Sequence, residues 1–380
     1  MPSSRGAEPV VQRYNKAGME ALQHKNYSEA ERQFESAVRE AEKFGPEDPR
    51  LAFVLNNLAK TYEKQGRYAE AELLYKRALA IWERSDEPDD AHLAASLGNL
   101  ADLYLRQSKY QEAEPLYKRS LAIVEQGSGP YHPDAVNSVT GLAALYHKQG
   151  KYAEAEPLFK RALALKEKAS GPDNPAVAES LAGLAALYYS QDRYEEAEPL
   201  LKRALAIDEK ALGPYHPDVA AVINSLAEIY SDQGKYAQAE PLYKRSLAIR
   251  EKALGPDHPD LATSLNNLAA VYFTLGKHSE AEPLYKRSLG IIEKASGPDH
   301  PDVAATANNL AALYFAQHKY QEAAPLYKRA LTIDEKALGP NHPDLVTDLE
   351  NYARCLRKTR QGDEARQLEA RAKAIRAARK

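Results

Sequence analysis

Five His-Pro-Asp triplets, beginning at His132, His216, His258, His300 and His342, are the residues of this chain best equipped for chemistry. A histidine beside a carboxylate can hold a metal or move a proton. Their spacing argues against both. The starts are separated by multiples of 42 residues, and Asn174-Pro175-Ala176 fills the slot between the first two. Equivalent points on stacked helices lie on the order of 10 Å apart. That is too far for two imidazoles to share a zinc ion, whose ligands lie about 2 Å away. A role in loop architecture is expected instead. The chain has no HExxH, paired CxxC, GxSxG or Walker-type motif. No catalytic, cofactor-binding or metal-binding residue is therefore assigned, and the chain is not expected to be an enzyme.

A second candidate is the ladder of Lys-Arg pairs from Lys76-Arg77 to Lys328-Arg329, again one per 42 residues. Such a ladder could track a polyanion. Yet Glu240 precedes Lys244 by four residues, and most units share that spacing. On a helix these pairs face each other and contribute a few tenths of a kcal/mol each. A solvated, self-neutralised face is the expected reading.

The elements that position these residues follow from the period. Leu265, Leu268, Ala269 and Tyr272 fall at i, i+3, i+4, i+7, one face of a helix. Ala281, Leu284, Tyr285, Ser288, Leu289 and Ile292 continue that pattern in a second, longer helix. Gly276 suits the left-handed turn between them. Pro283 is expected near the start of the second helix, where a missing N–H matters least. Gly297-Pro298 stops that helix, and Pro301-Asp302 suits the first turn of the next. Neither helix can bury its apolar face alone, so the units must stack.

With Leu268-Ala269, Tyr272, Gly276, Ala281, Tyr285 and Leu289 in register, the unit resembles the tetratricopeptide repeat (TPR). It is longer than the usual repeat of about 34 residues. The strings LNNLA, KYxEAEPLYKRALAI and GPDHPD resemble the repeats of kinesin light chains and related prokaryotic proteins. The resemblance implies an all-α, right-handed α-solenoid of stacked helix pairs, about nine units. They fall at 11–44, 52–85, 94–127, 136–169, 178–211, 220–253, 262–295, 304–337 and 346–380, after a disordered tail over 1–10. The first unit is cap-like, and the last is degenerate, ending in a basic capping helix. Met1 to Val10 has no heptad pattern, so no motor-subunit assembly is expected.

In TPR proteins the first helix of each unit lines a concave groove. The resemblance implies that positions two, five, six, nine, twelve and thirteen of the frame face ligand. Position six holds Asn57, Asn99, Gly141, Gly183, Ser225, Asn267, Asn309 and Asn351. A primary amide both donates and accepts, which matches the backbone of an extended peptide. Lys64, Arg106, Lys148 and Tyr189 line early and middle units, and Phe273, Phe315, Arg354 and Lys358 the later ones. Exposed aromatics beside a basic cluster suit an acidic peptide with an apolar anchor. No unit has the Lys and Asn at positions five and nine that clamp chaperone tails. The expected function is a scaffold or adaptor whose groove binds an extended, acidic peptide or a partner protein. The rival is an architectural or regulatory spacer that binds through its convex face or basic C-terminal helix.

Composition fits a protein partner. The net charge of −3 gives no reason to expect bulk affinity for nucleic acid or membrane. No stretch has the apolar length of a membrane span. Cys355 is the only cysteine, so no disulfide framework exists, and a cytoplasmic location is expected. From Arg354 to Lys380 there are ten Lys/Arg against three Asp/Glu, a net of +7.

Overall fold

A computed structural model of the chain describes residues 4–85 and 89–378, with side chains from Val10 onward. Among these residues there are eighteen α-helices and no strand. Two units divide the chain, 1–193 and 194–380. The first carries α1 (Ser4–Gln23), α2 (Tyr27–Ala41), α3 (Pro49–Lys64), α4 (Tyr68–Arg84), α5 (Asp90–Arg106), α6 (Tyr110–Ser128), α7 (Ala135–Lys148), α8 (Tyr152–Ser170) and α9 (Pro175–Tyr189). The second carries α10 (Tyr194–Leu212), α11 (Pro217–Asp232), α12 (Tyr236–Leu254), α13 (Leu261–Thr274), α14 (His278–Ser296), α15 (Pro301–Ala316), α16 (Tyr320–Leu338), α17 (Leu345–Lys358) and α18 (Gly362–Ala378). Within each unit, helices contact the next helix in the chain. Residues 4–10, expected as a disordered tail, are the first turns of α1; residues 1–3 lie outside the described residues.

The triplets at His216 and His300 open helices, and those at His132, His258 and His342 form the turn just before one. His216 Nδ1 accepts from the backbone N–H of Asp218 at 3.2 Å, and His300 Nδ1 from that of Asp302 at 3.3 Å. Asn174 does the same for Ala176 at 2.9 Å. These side chains satisfy donors that the first helical turn leaves without a partner, and proline follows where its missing N–H matters least. Pro283 departs from expectation. Helix α14 begins at His278, so the proline sits inside the helix, beyond the first turn. Its equivalents Pro115, Pro157, Pro199, Pro241 and Pro325 do the same, each at the cost of one intrahelical hydrogen bond.

Pairs are joined by a residue in the left-handed region. Gly66, Gly150, Gly234 and Gly276 fill this slot at φ of 77, 72, 71 and 71°. Lys25, Ser108, Asp192, His318 and Arg360 fill it elsewhere at φ of 56 to 65°. A side chain there costs roughly 1 kcal/mol relative to glycine. Ser108→Gly should therefore raise the stability of the chain by up to about 1 kcal/mol, measured as the urea midpoint at unchanged helical circular dichroism.

Stacking is fixed by a polar seam as well as by the core. The arginine of most Lys-Arg pairs is not left wholly to solvent: it reaches back to the preceding repeat, Arg77 to Glu42 at 2.9 Å and Arg119 to Glu83 with one acceptor each, and later ones with two. Arg161 Nη2 meets Glu125 Oε1 at 2.6 Å and also donates to the Pro130 carbonyl. Arg245 binds Glu209 at 2.5 Å and the Pro214 carbonyl at 3.3 Å. Arg287 binds Glu251 and Pro256, and Arg329 binds Glu293 and Pro298; Arg371, which follows Ala370 and is in no Lys-Arg pair, makes the same contacts with Glu335 and Pro340. The lysines behave as expected: Lys244 pairs with Glu240 and Lys286 with Glu282, at 2.6 and 2.7 Å. Arg287→Lys keeps the charge but loses the fork that serves two acceptors. It should lower stability by about 1 kcal/mol in urea denaturation, whereas Lys286→Gln should change it by no more than a few tenths.

Candidate functional site

The frame positions implied to face ligand lie on the first helix of each repeat. In the first unit their face is built from α3, α5 and α7. Asn57 is half-buried, and its Nδ2 donates to Asn15 Oδ1 at 2.8 Å. Arg106 holds Glu63 through Nε at 2.7 Å, and the Tyr75 hydroxyl donates to the same carboxylate at 3.2 Å. Lys64 and Lys148 are exposed and make no ion pair among the described residues. Tyr189 is half-buried on α9.

Two adjoining cavities open on this face and share Asp102. One, of about 300 Å³, includes Asn99, Asp102, Tyr117 and Asn137 in its lining. The other, of about 480 Å³, has Asp102, Arg106, Tyr110 and Lys148. The structure thus brings Asn99, Arg106 and Lys148 around one carboxylate, that of Asp102. Asp102 accepts a hydrogen bond from the Tyr117 hydroxyl. It stays open to water yet is walled by protein. That crowding pushes its carboxyl above the usual range, against the Tyr117 hydrogen bond; Glu63 pushes the same way and Arg106 opposes it.

Gly141 is not a gap in the amide row. A Cβ there would lie 2.3 Å from Cε1 of Tyr117, so only glycine lets the tyrosine cross α7 and reach Asp102. At Gly183 a Cβ would lie 3.1 Å from Phe159. Volume on the second helix, a contact across the repeat boundary, decides both positions.

In the second unit the face is built from α11, α13, α15 and α17. Its amides serve the protein itself. Asn267 donates to Glu228 Oε1 at 3.1 Å, beside Asn224 at 2.8 Å. Asn309 donates to Asn266 Oδ1 at 3.1 Å, and Asn351 Oδ1 accepts from Arg354 at 3.2 Å. Each amide has two N–H donors and a carbonyl, so these bonds leave capacity for a ligand. Phe273 lies 5.6 Å from the His278 ring, and Phe315 lies 5.2 Å from Tyr320. The Arg354 guanidinium covers Phe315 at 4.8 Å, and Lys358 is exposed.

A family model described as tetratricopeptide repeat matches residues 12–84, 62–126, 92–168, 134–210, 177–252, 218–294, 275–336 and 302–378. The chain belongs to the tetratricopeptide repeat family. Among solved structures, a putative kinesin light chain from Podosopora anserina with nearly identical TPR-like repeats is 30% identical. It covers 55% of this chain and 98% of its own, with a TM-score of 0.47. BtubC (BKLC) from P. vanneervenii is 24% identical over 66% of this chain and 92% of its own, at a TM-score of 0.51. A STAND protein from Pyrococcus horikoshii with a tetratricopeptide repeat sensor matches 96% of this TPR chain and 53% of its own, at 15% identity and a TM-score of 0.67. No curated protein matches the sequence significantly. No helix among the described residues is long and apolar enough to cross a membrane.

One further site residue escaped the sequence reading. Asp348 on α17 is buried, accepts from Asn308 Nδ2 at 2.6 Å, and faces the Asp334 carboxyl. Burial and that second acid push the Asp348 carboxyl up to about 6. Acids at these two positions, one on each side of a repeat boundary, are the signal that could have found it. A raised acid pKa penalises the fold once the pH exceeds the unfolded value, and fully above the folded one. Asp348→Asn should therefore raise stability by on the order of 1–3 kcal/mol at pH 8 and leave it unchanged near pH 3, measured as thermal midpoints across that range.

Proposed function

We propose that this TPR chain is a non-enzymatic scaffold that binds an extended, acidic peptide or protein segment in the groove of its second unit. The observation that carries this reading is the Arg354–Phe315 stack beside Lys358, next to Asn309 and Asn351. A cation spread over an aromatic face offers an apolar anchor point and a charge at one place. Asn267 and Asn309 would meet the peptide backbone with the donor each still carries. Phe273 would extend the apolar strip. Asn57, Lys64, Asn99, Arg106, Lys148 and Tyr189 would form a separate groove segment in the first unit. In the Pyrococcus horikoshii protein the repeats are a sensor, which suits recognition as the task of such a fold.

The rival reading is an architectural or regulatory spacer that binds through its convex face or its basic C-terminal helix. The arginines of that helix are largely committed within the protein. Arg371 binds Glu335 and Pro340, Arg376 binds Glu350 at 2.7 Å, and Arg366 pairs with Asp363. A cytoplasmic setting is part of the proposal, supported by a lone cysteine, Cys355, that is buried.

Affinity should be micromolar, since each hydrogen bond contributes on the order of 1 kcal/mol. Asn267→Ala with Asn309→Ala should weaken binding of an affinity-captured partner roughly tenfold. The melting point should fall by only a few degrees, because alanine's helix preference offsets the lost inter-repeat bonds. Arg354→Ala with Lys358→Ala should weaken binding further and remove most of its salt dependence. Full affinity in both double variants, measured by fluorescence anisotropy, would remove the groove as the binding site.

A further inference from the structure

Gly98 has no role in holding the fold. It lies in the middle of α5, has no left-handed backbone, and a Cβ built on it would meet no atom within 4 Å. Asn56, Asn224, Asn266 and Asn308 stand at the equivalent positions of other repeats. Glycine inside a helix costs roughly 0.5–1 kcal/mol relative to alanine. Gly290 also meets nothing, but it lies on an exposed face. Gly98 is half-buried at the wall of the 300 Å³ cavity. What its missing side chain leaves is open volume beside Asp102.

The lining of that cavity has one sign of charge. Asp102 and Asp134 contribute carboxylates, and no lysine or arginine lines it. Arg106, which with Lys60 carries the positive charge acting on Asp102, is turned to Glu63 at 2.7 Å. His92 at the rim is held by Asp89 at 2.6 Å. Asn99 and Asn137 add amide carbonyls that can accept. Gly141 secures the floor, because it admits the Tyr117 ring whose hydroxyl fixes the Asp102 carboxylate. Two glycines in adjacent first helices thus shape one acidic, acceptor-lined recess; the neighbouring cations Arg106 and Lys148 line the adjoining cavity that shares Asp102, not this one.

We propose that this recess is a binding site for an arginine side chain of an extended partner segment, with Asp102 as its principal acceptor. A guanidinium presents several N–H donors in one plane and suits a carboxylate flanked by carbonyl acceptors. Its size suits a cavity of this volume, and charge complementarity selects it over an acidic or apolar side chain. The site deepens the groove reading by giving the first unit a ligand preference opposite to that of the second. The inference rests on the groove reading only in taking this face as ligand-bearing.

The test uses a small probe, so that it stands apart from any partner. Ac-Gly-Arg-Gly-NH2 and its norleucine counterpart are titrated into the full chain. Binding is followed by NMR through the side-chain amides of Asn99 and Asn137. The arginine probe should give saturable shifts at millimolar concentration, and the norleucine probe none. Asp102→Asn should weaken the arginine probe at least tenfold. Gly98→Asn, which restores the side chain used at Asn56 and Asn308, should weaken it as much while the melting temperature stays equal or rises. Arg354→Ala with Lys358→Ala should leave it unchanged. Equal response to both probes overturns the proposal, as does full affinity in Gly98→Asn. So does a Gly98→Asn chain that fails to fold, since Gly98 would then be structural.

Discussion

Ala59, Tyr75, Leu97, Leu103, Tyr117 and Leu145 belong to one buried cluster, yet they come from α3, α4, α5, α6 and α7. No helix pair in that stretch closes a core of its own. Tyr75 and Tyr117 are almost wholly buried only because the first helix of the following repeat covers them. Burial of a large aromatic is among the biggest single contributions a small domain has, a few kcal/mol each. The rest of the structure follows from this dependence on the neighbour. A repeat must end where the next can begin, which is the task of the Gly-Pro loop and its capping histidine.

Polar contacts then set the register that apolar packing leaves loose. Glu156 receives Lys160 from its own helix at 2.6 Å, and the Tyr188 hydroxyl and Arg193 from beyond α8 at 3.0 and 2.7 Å. Arg193 and Lys160 hold its carboxyl down to about 2. Glu72 and Glu282 gather the same kinds of partner. The arginine bridge works on the opposite end of the same helix. Exposed ion pairs of this kind contribute little singly. Repeated from one repeat to the next, with two acceptors each for Arg161, Arg245, Arg287, Arg329 and Arg371, they favour one sliding position over others.

With the scaffold nearly invariant, difference between repeats is confined to a few slots. At one boundary slot, Ser264 receives Arg250 at 3.1 Å, whereas Asp334 and Asp348 face each other in the corresponding place. Position six is an amide in the early and late repeats and glycine or serine in the middle ones. Such variation on a constant frame lets one chain present dissimilar strips of surface, cationic and aromatic near α17, anionic near α5.

Much of this was legible in the sequence. The 42-residue period, the apolar spacing around Leu268 and Tyr272, the turn glycines and the Lys-Glu pairs are local patterns, and each element they specify is present. Pro283 lies inside its helix and not at the start, because where that helix begins depends on the turn before it. The destinations of the arginines, the reason for Gly141, the emptiness beside Gly98 and the acid pair at Asp348 were decided by tertiary structure. Each is a contact between residues of different helices, such as the 36-residue step from Glu125 to Arg161. Helical periodicity says which face a residue occupies, but not the angle and offset at which the next repeat meets it. Those are fixed by side-chain volumes packing across the boundary.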